Sequence, residues 1–219
     1  MLPSLQLILN TIPEQFERLR RLQSEFAAAC NHVAPLAQAN RCWNRVALHH
    51  IAYREVRAKF PQLGSQMACN AIYSVARTYR VLLQHPQSPW NIELRPNQPL
   101  PLIRFEESAP VYFDRHTLSV KGGALSMYTL DGRLRFELNL SADDSLRFAT
   151  QKLREIVLIR VGVNYVLQFW FDEKSMMPNA ETDGDLPEYI LVTPPEAVPL
   201  SVSSVGSARA VAPAEAVSP

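Results

Sequence analysis

Cysteine is scarce in this chain. Cys30, Cys42 and Cys69 are odd in number and fall at no metal-ligand spacing. Reduced, mostly buried thiols are expected, and neither a disulfide framework nor a zinc site is. The five histidines, His32, His49, His50, His85 and His116, pair with no cysteine or carboxylate at such spacing, so no metal and no cofactor are expected. Glycine is also sparse, at 7 residues in 219, and no Gly-rich phosphate loop exists. No stretch approaches the roughly 20 apolar residues that a membrane-spanning helix needs. The opening "MLPSLQLILNTIPEQ" has no basic region and only a short apolar stretch, so no signal peptide is expected. A cytoplasmic protein without a membrane partner follows as the expectation.

What is present is a charge asymmetry hidden by a net charge of +1. Residues 1–105 hold 12 Lys and Arg against 5 Asp and Glu; residues 106–219 hold 10 against 16, and 8 of those acids fall in 172–219. A basic half implies an anionic partner.

The hydrophobic pattern divides the chain. "LQLILN" reads as a strand within residues 1–10. "TIPEQ" starts a helix, with Thr11 as N-cap, Pro13 in the first turn and Glu14 at the positive end of the dipole. Phe16, Leu19, Leu22, Phe26, Cys30 and Val33 recur at helical spacing, and Pro35 is expected to end or kink that helix. A second helix is predicted from about Cys42 to Phe60, with Val46, Leu48, Ile51, Ala52 and Val56 inward. A third runs from Ser65, its expected cap, to about Gln84. Its apolar stripe is Met67, Ala68, Ala71, Ile72, Val75, Ala76, Tyr79, Leu82 and Leu83. These helices make a lobe over residues 11–85. From residue 86 five prolines exclude a helix, and alternation of period two takes over to residue 171. "DGR" at 131–133 and "VGVN" at 161–164 mark hairpin turns, and "SADDSLRFATQKL" marks a short helix capped by Ser141. Short strands at hairpin spacing suggest a small antiparallel barrel. Residues 172–219 read as an acidic loop and a disordered Pro/Ala-rich tail, with "YILVT" as a strand candidate. The class is therefore α+β: a three-helix lobe preceding or inserted into an oligonucleotide-binding-like barrel.

Gln66, Asn70, Tyr73, Arg77 and Arg80 form a second stripe on the third helix. Amides bond base edges, arginines hold phosphates and tyrosines stack, so the stripe suits a nucleic acid. A solvated helix face, or for Tyr53 and Tyr73 packing between helices, uses the same residue types.

The order of the parts carries a resemblance. "LQLILNTIPEQFERLRRLQSEFAAACNHVA", "LHHIAYREVRAKFPQLGSQMACNAIYSVARTYR", "VYFDRHTLSV" and "LSMYTLDGRLRFELNL" resemble, in sequence, the N-terminal region of TnpB-type transposon proteins. These are RNA-guided nucleases related to type V CRISPR effectors, and the resemblance spans about residues 4–171. It implies a wedge barrel and a recognition lobe that bind guide RNA and read a short DNA motif. On that basis Tyr53, Gln66 and Asn70 are candidates for DNA-motif or backbone contact, beside Tyr73, which the stripe itself offers for stacking. Arg54, Arg57, Lys59, Arg77 and Arg80 are phosphate candidates.

The chain departs from the family after the last barrel strand. A glycine-rich strand with a catalytic aspartate is expected there, and "FWFDEKSMMPNAETDGDLPEYILVTPP" stands instead. The "DGD" at 183–185 reads as an acidic loop, since no later carboxylates complete a two-metal clamp. The expectation is a nuclease-less protein, not an enzyme, binding RNA and/or DNA as a regulator or as one subunit of a split effector. A separately encoded nuclease subunit would then be a partner. The alternatives are a protein-interaction subunit that kept the fold and lost nucleic-acid binding, or a truncated transposon remnant.

Overall fold

Five uncharged residues, Leu5–Leu9, form the first strand, β1, in the computed structural model, which describes residues 4–171 and 190–193. Helix α1 follows at Pro13–Ala39. Its cap residue is Ile12, one later than the expected Thr11, and the Ile12 N–H is satisfied by Gln15 Oε1 at 3.1 Å. Pro35 does not end α1. It sits exposed near the last turn, and the helix stops four residues on, where the Asn40 side chain and backbone N–H both donate to the Leu36 carbonyl. Leu19, Leu22, Phe26, Cys30 and Val33 are all buried on its inner face.

Helix α2 spans Arg45–Lys59. It starts later than expected because Asn44 caps it, its side-chain oxygen accepting from the Val46 and Ala47 N–H groups at 3.0 and 3.1 Å. Leu48, Ala52 and Val56, four residues apart, face the core. Val46, two residues before Leu48, is turned some 200° from that face, and it is 65% exposed instead of buried. A 3-10 turn at Pro61–Leu63 leads into α3, Gly64–Gln84. Gly64 has φ 73° and ψ 163°, an angle pair that side chains disfavour, and Ser65 lies inside the helix instead of capping it. Every residue of the predicted apolar stripe of α3 is buried.

The remaining elements are strands β2 (Leu102–Phe105), β3 (Val111–Phe113), β4 (Leu118–Lys121), β5 (Ala124–Thr129) and β6 (Gly132–Glu137), helix α4 (Ala142–Thr150), and strands β7 (Leu153–Val161), β8 (Asn164–Phe171) and β9 (Ile190–Thr193). Ser141 caps α4 as expected, accepting from Asp144 N–H at 3.0 Å. The strand β2 was not foreseen; it pairs with β9, which falls in the "YILVT" segment. Apart from β9, the expected loop and tail of 172–219 lie outside the described residues, as does the "DGD" segment.

The chain is α+β, and all strand pairs among the described residues are antiparallel. Pairing among the described residues makes three sheets, not the single closed barrel that hairpin spacing suggested. One is four-stranded in the order β1-β8-β7-β3, one is the meander β4-β5-β6, and one is β2-β9. Hairpin spacing fixes neighbours in sequence but not the long-range pairs that close a barrel. In the four-stranded sheet, Leu9, Tyr165, Leu167, Phe169, Ile156, Leu158, Val111 and Phe113 share one buried face by register. α1 covers part of this face: Phe16 packs on the Tyr165 ring at 5.1 Å and Gln23 Oε1 accepts from the Tyr165 hydroxyl. α4 covers another part, with Phe148 edge-on to Phe169 and Phe171. Helical and sheet residues join in one continuous hydrophobic core. The three helices lie between β1 and the later strands of that sheet, with α3 packed beside β3 and α2 packed on α1 and α3.

Candidate nucleic-acid interface

The polar stripe of α3 turns toward the protein itself. Gln66 donates to the Asp114 carboxylate, which also organises the turn after β3 by accepting from the His116 and Thr117 N–H groups. Asn70 is 5% exposed, and its amide donates to the buried Tyr112 carbonyl at 3.0 Å. That is a correction for Asn70: an amide this deep cannot meet a base edge. Tyr73 donates its hydroxyl to Glu155 Oε1 at 3.2 Å and meets the Tyr112 ring edge-on at 5.7 Å. Arg77 donates to the Tyr112 hydroxyl at 2.8 Å and lies 3.7 Å from Glu155. Gln66, Asn70, Tyr73 and Arg77 thus dock α3 on β3 and β7. An amphipathic helix in a mixed fold has two neighbours to satisfy, the other helices and the sheet, and the second stripe serves the sheet.

The cationic face is on α2. Arg45, His49, Tyr53 and Arg57 recur every fourth residue, and His50 and Arg54 run beside them. The His49 and Tyr53 rings stack with centroids 4.6 Å apart and planes 22° from parallel. The Arg45 guanidinium lies 4.9 Å over the Tyr73 ring, so α2 reaches across to α3. Arg57 is half-exposed and donates to the Pro61 carbonyl at 3.4 Å. Arg54 and Lys59 are exposed, and the Lys59 ammonium lies 3.4 Å from His32 Nδ1 of α1. Residues 41–80 hold seven Lys and Arg and a single acid, Glu55. That acid is drawn toward α1, with its carboxylate 3.4 Å from His32 Nε2. The Cys69 thiol sits between the helices; burial pushes its pKa up, while the charges of Arg45 and Arg57 pull the other way.

Of the predicted site residues, the structure brings Tyr53, Arg54 and Arg57 together on α2 and sets Lys59 at its end. Gln66, Asn70, Tyr73 and Arg77 stand on the sheet-facing side of α3, and Arg80 lines a cavity near its end. Sequence reasoning passed over Arg45 and His49 as members of the stripe, although their spacing of four from Tyr53 carried the signal. It also missed Tyr112 and Glu155, which no local pattern marks. Among the described residues, no cluster of three or more His, Cys, Asp or Glu could hold a metal ion, and no helix is long and apolar enough to cross a membrane. No family model matches this chain, and no curated protein matches it.

Proposed function

We propose that this protein is a nuclease-less nucleic-acid-binding protein of TnpB-like ancestry. Its α2 face grips the sugar-phosphate backbone of a structured RNA, a target-adjacent DNA, or both. It acts as a regulator or as one subunit of a split effector, without an enzymatic activity of its own. The observation that carries the reading is the α2 stripe: Arg45, Arg54, Arg57 and Lys59 beside the stacked His49–Tyr53 pair, with Glu55, the one acid on that helix, directed to α1. Guanidinium and ammonium groups neutralise phosphates, and stacked rings offer a platform for bases. The sheets around β1 would correspond to the wedge domain of that family, and the helices to its recognition lobe. The pairing of β1 with β8 supports this, because it places the helices between strands of one sheet.

Fluorescence anisotropy with labelled RNA hairpins and DNA duplexes tests the reading. Four phosphate contacts would give a slope of about −3.6 in log K against log salt on duplex DNA, and about −2.8 on a single strand. The variant R45Q/R54Q/R57Q/K59Q should lose most of that slope while keeping its fold by circular dichroism. Binding that is absent, or present and indifferent to these four residues, would sink the proposal.

A second reading is favoured by a different observation. Val161, which ends β7, and Val163, in the turn that leads to β8, are 57% and 81% exposed. Large exposed apolar side chains at a hairpin tip suit a protein partner, such as a separately encoded nuclease subunit. Co-purification that depends on Val163 and survives nuclease treatment would favour this reading.

A further inference from the structure

Glu55 and Lys59 stand four apart on α2, the spacing at which a carboxylate and an ammonium ordinarily meet. Here an imidazole of α1 comes between them. His32 Nδ1 lies 3.4 Å from the Lys59 ammonium, and His32 Nε2 lies 3.4 Å from the Glu55 carboxylate. The His32 side chain is 23% exposed, and its Nε2 is buried without a hydrogen-bond partner among the described residues. The Phe60 ring meets the imidazole edge-on at 6.0 Å, and the Lys59 ammonium lies 5.9 Å from the centre of that same ring.

The neighbours decide where the ring carries its proton. An ammonium only donates, so the Nδ1 beside it accepts and holds no proton. The neutral ring then keeps its proton on Nε2, toward Glu55. A second proton has one place to go, Nδ1, and it removes the acceptor that Lys59 uses. It also sets two positive groups side by side and gives Glu55 a full ion pair. Lys59, an exposed residue, is left with neither the base nor the carboxylate. The 3-10 turn Pro61–Leu63 brings no charged residue, and α1 has none within four residues of His32. Cys30, two residues away, stays a neutral thiol because burial raises its pKa. The one charged residue of β2, Arg104, lies toward Ala28 and Asn31 of α1.

The cations of the α2 face are thus held in different ways. Arg45 lies over a ring and Arg57 donates to a carbonyl, whereas Lys59 donates to a base. Histidine is the side chain whose charge ordinarily changes between about pH 5 and 8. We infer that His32 is a positioning residue for this face: neutral, it ties Lys59 to α1, and protonated, it releases Lys59 to a phosphate of the bound strand. Nucleic acid and one proton are taken up together, and each raises the affinity for the other by the same factor. This rests on the nucleic-acid reading above and adds its regulation, a grip that tightens as the pH falls.

The test reads anisotropy of the labelled RNA hairpins and DNA duplexes on the full chain at about pH 8 and about pH 5.5, across the histidine range. The wild type should bind about fivefold or more tightly at the lower pH, the low end of ordinary couplings between two sites. Its salt slope on duplex DNA should steepen by about 0.9, the share of one further phosphate. The same helix carries His49 and His50, so a cycle of wild type, H32N, K59Q and H32N/K59Q isolates His32. The asparagine oxygen can still accept from Lys59 but takes no proton. H32N and K59Q should each lose the same part of the gain, and the double variant no more than either. A wild type that binds without any gain, an H32N that keeps the whole gain, or losses that add in the double variant overturn the inference and leave the α2 reading standing. A wild type that binds neither probe at either pH overturns both. If H32N fails to fold, calorimetry in two buffers of different ionisation enthalpy counts the protons taken up on binding by the wild type and by K59Q. Greater uptake by the wild type is expected, and equal uptake overturns the inference.

Discussion

Asn70→Ala separates a packing amide from a ligand-reading one. The Asn70 side chain is buried and its amide donates to the Tyr112 carbonyl at 3.0 Å. Alanine removes the donor but leaves the carbonyl of the buried Tyr112 in place. A buried acceptor stripped of its partner costs about 1–3 kcal/mol. For a chain of this size each kcal/mol moves the melting temperature by about 2–4 °C, so a fall of about 2–12 °C is expected. Calorimetry measures it directly. The affinity for labelled RNA or DNA, taken well below the transition, should stay within about twofold, a margin of roughly 0.4 kcal/mol. The contrasting perturbation is R54Q, at an exposed side chain, which should weaken binding and leave the melting temperature alone. An N70A protein that melts like the wild type but has lost its ligand would refute the assignment of the α3 stripe to packing, and with it the placement of the interface on α2.

Three further outcomes follow from the core. Gln23 is buried on α1; its amide donates to the Ser108 and Ala109 carbonyls at 2.8 and 3.0 Å, and its oxygen accepts from Tyr165. Gln23→Leu would leave these groups unpaired and cost about 2–4 kcal/mol, measurable by urea denaturation. Gly64→Ala would put a Cβ at φ 73°, 3.2 Å from the Tyr128 hydroxyl, and should cost about 1–3 kcal/mol in the same assay. Burial pushes the Tyr79 phenol up to about 12. The native chain then keeps a proton that the unfolded chain releases at about pH 10, so this contribution is complete below pH 10. It falls away as the pH rises toward 12, by a few kcal/mol in all. Tyr79→Phe should lower stability at neutral pH, because the bond to the Pro101 carbonyl is lost, yet flatten the alkaline decline in a series of melts.

The sequence carried the helices well, because their signal is local. Leu48, Ala52 and Val56, and the whole α3 stripe, could be assigned inward from spacing alone. The ends of elements were less legible. Asn44 won over Cys42 as a start through two cap bonds, and Pro35 near the end of α1 did not stop it. Hairpin partners were legible, β5 with β6 at "DGR" and β7 with β8 at "VGVN", but long-range partners were not: β1 finds β8 across most of the chain, and β2 pairs with β9, Leu102 opposite Thr193. The same limit misdirected the site reading. Gln66, Asn70, Tyr73 and Arg77 look like a recognition stripe until Asp114, Tyr112 and Glu155 are set beside them, and those partners come from other elements. The stripe Arg45, His49, Tyr53, Arg57 needed no tertiary information, only a count of four.

The pairing of Leu5 with Phe169 has a consequence for how the molecule is made. At about 5–20 residues per second, translation delivers β8 some ten to thirty seconds after β1. In that interval the three helices can collapse on one another, since their contacts lie within one contiguous stretch of chain. The segment LQLIL must wait. It is apolar, uncharged and short of any partner, the kind of segment that associates with other nascent chains. Completion of the sheet is therefore the late, slow event of biogenesis, and the yield of folded protein should respond to chaperone supply and to translation speed more than to the stability of the finished fold.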